Sequence, residues 1–227
     1  MKIGVLGTGT VGKAISAKLV DLGHDVMMGT RDVAKTLAQK EPDRFGNPPF
    51  QAWREQRPAL KLGTFAEAAV HGELLFNCTS GVGSLQALEL AGEANLNDKV
   101  LVDISNPLDF SQGMPPSLFV SNTDSLGEQI QRAFPRVRVV KTLNTVTASL
   151  MVDPGQLAGG EHDILLSGND AEAKMQVTAI LKDWFGWKNV IDLGDISTAR
   201  GAEMYLLLWL QLRSALGTPI INFKFVR

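Results

Sequence analysis

The chain has 227 residues, 44% hydrophobic and 20% charged, a globular composition that excludes a disordered, collagenous or coiled-coil chain. Twenty-two basic against 24 acidic side chains leave a net charge of -2, so no global field points to nucleic acid or an anionic membrane, and any anion site has to be local. The longest apolar runs are too short to span a membrane, and one cysteine, Cys78, with scattered His24, His71 and His162 offers neither a disulfide nor a metal site.

Residues 3–6 predict a strand, the glycine-rich turn after them leads into a helix over 11–22, and 26–28 predict a second strand, together a βαβ unit. Val11, Ala14, Ile15, Leu19 and Leu22 recur three and four apart, giving that helix an apolar stripe to lay on a sheet, and Gly23 ends it. Residues 41–62, with Pro42, Pro48, Pro49, Pro58 and Trp53, fit neither period. Such long connections serve as lids or binding loops, or are elaborated surface loops. Strands follow over 74–78, 100–104, 137–140 and 164–166, between helices over 65–70, 84–93, 125–133 and 171–185. Each strand is continuously apolar, the pattern of strands covered on both faces of a parallel sheet. The alternation predicts an α/β fold, doubly wound around a mainly parallel sheet. A short strand over 190–192, an apolar helix over 199–216 and a β-rich tail over 220–226 are read as a small C-terminal α/β lobe. Asp153-Pro154-Gly155 and Gly159-Gly160 place the boundary near 155, giving domains 1–155 and 156–227. Residues 204–210 are apolar on all sides and are expected to be fully buried, within the lobe or across a dimer interface. The N-terminus runs from strand directly into turn, unlike a secretory signal, so the expected location is cytoplasmic.

Gly7-Thr8-Gly9-Thr10-Val11-Gly12 fits the G-x-G-x-x-G pattern, and it lies where that pattern has force, after a strand and at the start of a helix. Gly7 permits the tight turn, Gly9 lets backbone approach a pyrophosphate, Gly12 lets helix press on strand, and the helix N-terminus attracts phosphate. A dinucleotide is expected. At the end of the second strand, where NAD enzymes place a carboxylate for the ribose hydroxyls, this chain has Gly29-Thr30-Arg31. A hydroxyl and a guanidinium suit a 2′-phosphate, which makes NADP(H) the expected cofactor, with Lys35 as a third contact. If the side chain of Asp32 rather than that of Thr30 faced the ribose, NAD would be the better fit.

Ligands of open α/β sheets bind beyond the carboxyl ends of the strands. Thr79-Ser80-Gly81, Ser105-Asn106-Pro107 and Thr142-Leu143-Asn144-Thr145 occupy those positions. They offer hydroxyls and amides but no nucleophile with a base, so no catalytic acid, base or nucleophile is assigned. Asp103, inside a strand, reads as a buried structural acid or a catalytic one, and Cys78 as a small core residue. Hydride transfer between two aligned planar groups needs placement more than proton donors, and such a site suffices for it.

With Val102-Asp103-Ile104-Ser105-Asn106-Pro107-Leu108, Lys141-Thr142-Leu143-Asn144-Thr145 and the terminal Asn222-Phe223-Lys224-Phe225-Val226-Arg227, the glycine and Gly29-Thr30-Arg31 motifs resemble the coenzyme F420-dependent NADP reductases and related dinucleotide-binding oxidoreductases over nearly the whole chain. The resemblance implies a Rossmann domain with a small C-terminal domain, a homodimer, and NADP(H) along the glycine turn. A small-molecule acceptor, the deazaflavin F420 or a flavin, would sit in the cleft between the lobes and exchange hydride directly with the nicotinamide. It implies Thr8, Thr30, Arg31 and Lys35 at the 2′-phosphate, and Ser80, Asn106, Pro107 and Asn144 where nicotinamide and acceptor meet. Two other readings remain: an NADPH-dependent imine or carbonyl reductase, whose all-helical half a strand-bearing C-terminal segment is too short to form, and a non-catalytic NADP-binding redox sensor.

Overall fold

The structure, a computed structural model, describes residues 1–42, 46 and 48–226. The first unit is β1 (Lys2–Leu6), α1 (Thr10–Asp21) and β2 (Asp25–Thr30), followed by α2 (Val33–Ala38), α3 (Phe50–Glu55) and β3 (Lys61–Thr64). Next come α4 (Phe65–His71), β4 (Leu74–Asn77), α5 (Gly81–Ala91), α6 (Glu93–Leu96) and β5 (Val100–Asp103). A small antiparallel pair, β6 (Leu108–Asp109) and β7 (Ser117–Leu118), precedes α7 (Leu126–Ala133), β8 (Arg138–Thr142) and α8 (Ala148–Val152). The chain closes with β9 (Asp163–Gly168), α9 (Ala171–Ala179), β10 (Asn189–Asp192) and α10 (Ala199–Leu216).

Among the described residues, eight strands form one sheet in the order β10-β9-β8-β5-β4-β1-β2-β3. Neighbours run parallel except β8 and β9, which pair antiparallel with Val140 opposite Gly168 and Thr142 opposite Leu166. Alternate strand residues feed two cores. Ile3, Val5, Phe76, Val102 and Val140 pack with Ile15 and Leu19 of α1, Leu150 of α8 and Val177 of α9. Leu6, Leu75, Leu101 and Val139 pack on the other face with Ala68 of α4, Leu88 of α5 and Ile130 of α7. Covered on both faces, the strands read as unbroken apolar runs. Local chemistry starts the helices where they are needed: Thr64 and Glu67 form a reciprocal capping box at α4, and Ser125 and Asp170 cap α7 and α9. Gly217, at φ 67°, ends α10.

Several expectations need correction. The 41–62 connection is not wholly irregular, since it carries α3 and ends in β3 at the sheet edge; Asp43, Arg44, Phe45 and Asn47 lie outside the described residues. The expected β-rich tail over 220–226 forms no strand, and its terminal Arg227 lies outside the described residues. Instead, Asn222 Nδ2 bonds His162 Nδ1 and Asp163 O, both at 2.8 Å, and Asp163 N bonds Phe223 O at 3.1 Å, which ties the tail beside the start of β9. The helix expected to run to 185 passes after Ala179 into a π-helical turn over Ile180–Trp184. Residues 204–210 are not fully buried within the single chain, where Met204 and Leu208 are 38% and 51% exposed and Leu206 and Trp209 face the core, so of the two expected settings the one within the lobe accounts for only part of the run. β9 and β10 extend the same sheet as the strands before residue 155.

Candidate active site

β4 and β1 are neighbours on the sheet although α1, β2 and β3 separate them in sequence, so the strand order reverses between them. A crevice opens beyond their carboxyl ends at such a point. Gly7 leaves β1 at φ 111°, its N–H bonded to Gly29 O at 2.9 Å, and a Cβ on it would lie 2.7 Å from Cys78 O. A Cβ on Gly12 would lie 2.1 Å from Gly7 O. Gly9 is different. A Cβ there would meet nothing within 4 Å, and Gly9 caps α1 without a side chain. The turn therefore leaves room beside a helix N-terminus, whose first amides have no intrahelical partner. Thr8 and Val11 are half-buried and Thr10 is exposed along this turn.

At the end of β2, Thr30 is buried, and its Oγ1 lies 2.8 Å from Thr36 Oγ1. Thr36 gives its one hydroxyl proton to Asp32 O, so Thr30 donates to Thr36 and keeps its own lone pairs. Asp32 Oδ1 accepts the N–H of Lys35 and caps α2, which directs the nearest carboxylate to its own helix. Arg31 and Lys35 are exposed, and Arg31 Nη2 donates to Gln86 Oε1 of α5 at 3.1 Å.

The ends of β4, β5 and β8 converge. Thr79 Oγ1 donates to Asn77 Oδ1 at 2.7 Å, and Ser80 is exposed at the start of α5. Asn106 and Asn144 pair reciprocally: Asn106 Nδ2 donates to Asn144 O at 2.9 Å, and Asn144 Nδ2 donates to Asn106 Oδ1 at 3.0 Å and to Ala202 O of α10 at 3.2 Å. Pro107 is buried beside them. Leu143, fully buried, takes φ 62° in the turn that presents Asn144, a backbone conformation that side chains other than glycine adopt at a cost.

Beneath this pair lies an ionic cluster that the residue pattern did not reveal. Lys141 Nζ sits 2.8 Å from Asp103 Oδ2, 2.8 Å from Glu203 Oε1 of α10 and 2.6 Å from Ser105 O. The three charged side chains are at most 2% exposed. Glu203 also accepts the N–H groups of Leu126 and Gly127 at the start of α7, and Asp103 Oδ1 accepts from Ser105 and Asn77. Asp103 is thus the buried structural acid of the two alternatives. Cys78 is inert core: burial first, and then the charge of Asp103, push its thiol far above its ordinary range. His24 packs on Trp184 at 4.3 Å between ring centroids, and His71 bonds Asp25 O at the amino end of β2, so neither joins these strand ends. Sequence reasoning placed Gly81 among the strand-end residues but missed its role, that a Cβ there would lie 1.9 Å from Asn106 O. Its one signal was a glycine directly after a strand-end Thr-Ser.

The family described as NADP oxidoreductase, coenzyme F420-dependent, matches residues 2–107. A crystal structure of an Arthrobacter sp. FB24 protein, whose name proposes an F420-dependent NADP reductase, is 58% identical, with TM-score 0.96 and the whole of both chains covered. The chain belongs to the F420-dependent NADP reductase family. As a member of that family of oxidoreductases it is also 26% identical over 216 residues to the F420-dependent NADP reductase of Methanothermobacter marburgensis, covering 93% of this chain and 92% of that one. It is 27% identical over 204 residues to the metalloreductase STEAP3 of Rattus norvegicus, covering 89% of this chain. The chain spans 36% of that metalloreductase's length. Among the described residues no helix is long and apolar enough to cross a membrane, and no group of His, Cys, Asp and Glu could hold a metal ion.

Proposed function

We propose that this chain binds NADP(H) along the glycine turn and exchanges hydride between the nicotinamide and a deazaflavin, coenzyme F420, or a flavin-like acceptor. The observation that carries the reading is the pair of ends to one crevice. A guanidinium stands where the second strand delivers the adenosine end, and a hydroxyl and amide surface stands where the other strands end. The turn fits the group: Gly7 and Gly12 close it, Gly9 leaves it open, and α1 points its N-terminus into it. Thr8, Thr10 and Val11 would line the pyrophosphate and Arg31 and Lys35 would hold the 2′-phosphate; Thr30, expected as a further phosphate contact, spends its proton on Thr36 and would instead accept from a ribose hydroxyl. Thr79, Ser80, Asn106, Pro107 and Asn144 would orient the nicotinamide and the acceptor ring. When bound, the dinucleotide supplies or takes up the hydride. The Asn106–Asn144 pair fixes the relative position of β5, β8 and α10, and that alignment is what direct transfer needs. On this reading residues 1–155 hold the nucleotide and 156–227 support the acceptor end from behind, through Ala202, which accepts from Asn144, and Glu203, which pairs with Lys141.

The test is NADPH oxidation by the purified protein. Consumption that depends on added F420 or flavin supports the reading; indifference to both overturns it. Arg31→Ala is expected to weaken NADPH binding by about 1.5–3 kcal/mol, the range for hydrogen bonds to charged groups, with NADH nearly unaffected. Equal losses for the two nucleotides, measured by titration, would contradict the role of Arg31.

The exposed face of α10 favours a homodimer as part of the same reading. Met204, Leu208, Leu212 and Leu216, four residues apart, are 38%, 51%, 37% and 60% exposed, a continuous apolar stripe on one helix side. Leu208→Asp is expected to turn a dimer into a monomer in sedimentation; an unchanged mass rules out this face as the interface.

A further inference from the structure

We propose that Gln86 determines nucleotide specificity by holding Arg31 in place without neutralising it, an inference that rests on the NADP(H) reading above. Arg31 follows β2 and Gln86 lies on the helix after β4, while β1 runs between those two strands. The Arg31 Nη2 to Gln86 Oε1 bond, 3.1 Å long between residues 55 apart in sequence, therefore reaches across the place where the glycine turn leaves the sheet. Two strand spacings are about 10 Å, a span that suits an extended arginine and not a shorter side chain. The guanidinium lies against α5: Gly83 precedes Gln86 by one helical turn, and the Cβ position of Gly83 is 3.8 Å from Arg31 Nη2, ordinary contact distance, so Arg31 rests along the helix face that carries the amide at 86.

The chemistry of the partner matters. An amide oxygen accepts one of the five guanidinium N–H groups and leaves the full charge, with the remaining donors, for an incoming phosphate. A carboxylate at the same position would make an ion pair that a phosphate must first displace, and would itself repel that phosphate. The nearest acid on the Arg31 side, Asp32, is occupied as the cap of α2. Held by Gln86, its one side-chain hydrogen-bond partner among the described residues, Arg31 is pre-oriented, which lowers the conformational cost of gripping the 2′-phosphate. A nucleotide lacking that phosphate gains nothing from the arrangement.

The experiment is titration of NADPH and NADH into the wild type, Gln86→Leu, Gln86→Glu, Arg31→Ala and the Arg31→Ala, Gln86→Leu double variant. Gln86 is exposed on its helix, so these variants are expected to fold. Gln86→Leu is expected to raise the Kd for NADPH about threefold and Gln86→Glu about tenfold. The Kd for NADH is expected to move less than about twofold, since that nucleotide carries no 2′-phosphate for Arg31 to bind. In the Arg31→Ala background, Gln86→Leu is expected to have no effect, because its target is gone. A wild type that prefers NADPH while both Gln86 variants match it overturns the role of Gln86 alone. So does a Gln86→Leu effect that persists without Arg31. A wild type with no preference between the nucleotides overturns the underlying NADP(H) reading, and this inference with it.

Discussion

Lys141→Met is expected to destabilise the fold by about 3–5 kcal/mol, the cost of breaking a buried ion pair from one side. The substitution nearly conserves volume, so the loss comes from charge. It leaves Asp103 and Glu203, both within 2.8 Å of the missing ammonium, as two buried carboxylates with no cation between them. It also takes a 2.6 Å hydrogen bond from Ser105 O, in the segment that carries Asn106. Burial alone would lower the proton affinity of Lys141, but the charges and hydrogen bonds of Asp103 and Glu203 outweigh it and hold the lysine above its ordinary value of 10.5. A raised lysine contributes stability that is complete below that ordinary value and is lost as pH rises through the folded one, so the cluster should weaken only in strong alkali. Urea unfolding of the wild type and variant at neutral pH checks this. A midpoint shift worth less than about 1 kcal/mol would mean that the cluster holds little together.

Gly81→Ala is expected to cost about a hundredfold in hydride transfer to the acceptor, since a misplacement of about 1 Å at the reacting centre has that effect. The added methyl would sit 1.9 Å from Asn106 O and 2.7 Å from its carbonyl carbon, both backbone atoms that cannot turn aside. Either the first turn of α5 or the backbone of Ser105-Asn106-Pro107 has to move, at about 1–3 kcal/mol for overpacking. Such a shift carries the Asn106 amide away from Asn144 and loosens the hold of Asn144 on Ala202 O of α10. On the proposed reading the adenosine end lies at Arg31 and Lys35, further from the added methyl than Asn106 and reached from α5 only through Gln86, so the Kd for NADPH should change less than the turnover number. A variant that turns over at the wild-type rate would show that the alignment of Asn106 is dispensable.

The parts of the fold legible in the sequence were those encoded by neighbours. Strand, glycine turn and helix lie in consecutive residues 2–21, and the spacing of Gly7, Gly9 and Gly12 is read within that one stretch, although the backbone that crowds Gly7 belongs to Cys78. Gly29-Thr30-Arg31 was legible for the same reason, but the donation of the Thr30 hydroxyl to Thr36 depends on how α2 turns back, which no residue pattern states. The lysine–carboxylate cluster joins β5, β8 and α10, and only the folded sheet brings Asp103, Lys141 and Glu203 together. The antiparallel setting of β9 was hidden because a strand covered on both faces is continuously apolar whichever way it runs. α10 misled for a related reason: its apolar residues surround the helix, but only the side bearing Ala202, Leu206 and Trp209 finds a core. β3 was masked by the prolines and charges before it, which read as loop although four residues, Lys61–Thr64, pair with β2.

The antiparallel seam between β8 and β9 governs how this molecule can move. Val140, Lys141 and Thr142 are laced to Leu166, Ser167 and Gly168 across it, so the C-terminal segment cannot swing as a clamshell about a flexible hinge without tearing a row of backbone hydrogen bonds inside the sheet, two strands from its β10 edge. Admission and departure of a flat ring system would then be gated by side chains and loops at the rim, and exchange should be quick and local rather than paced by a slow rocking of halves.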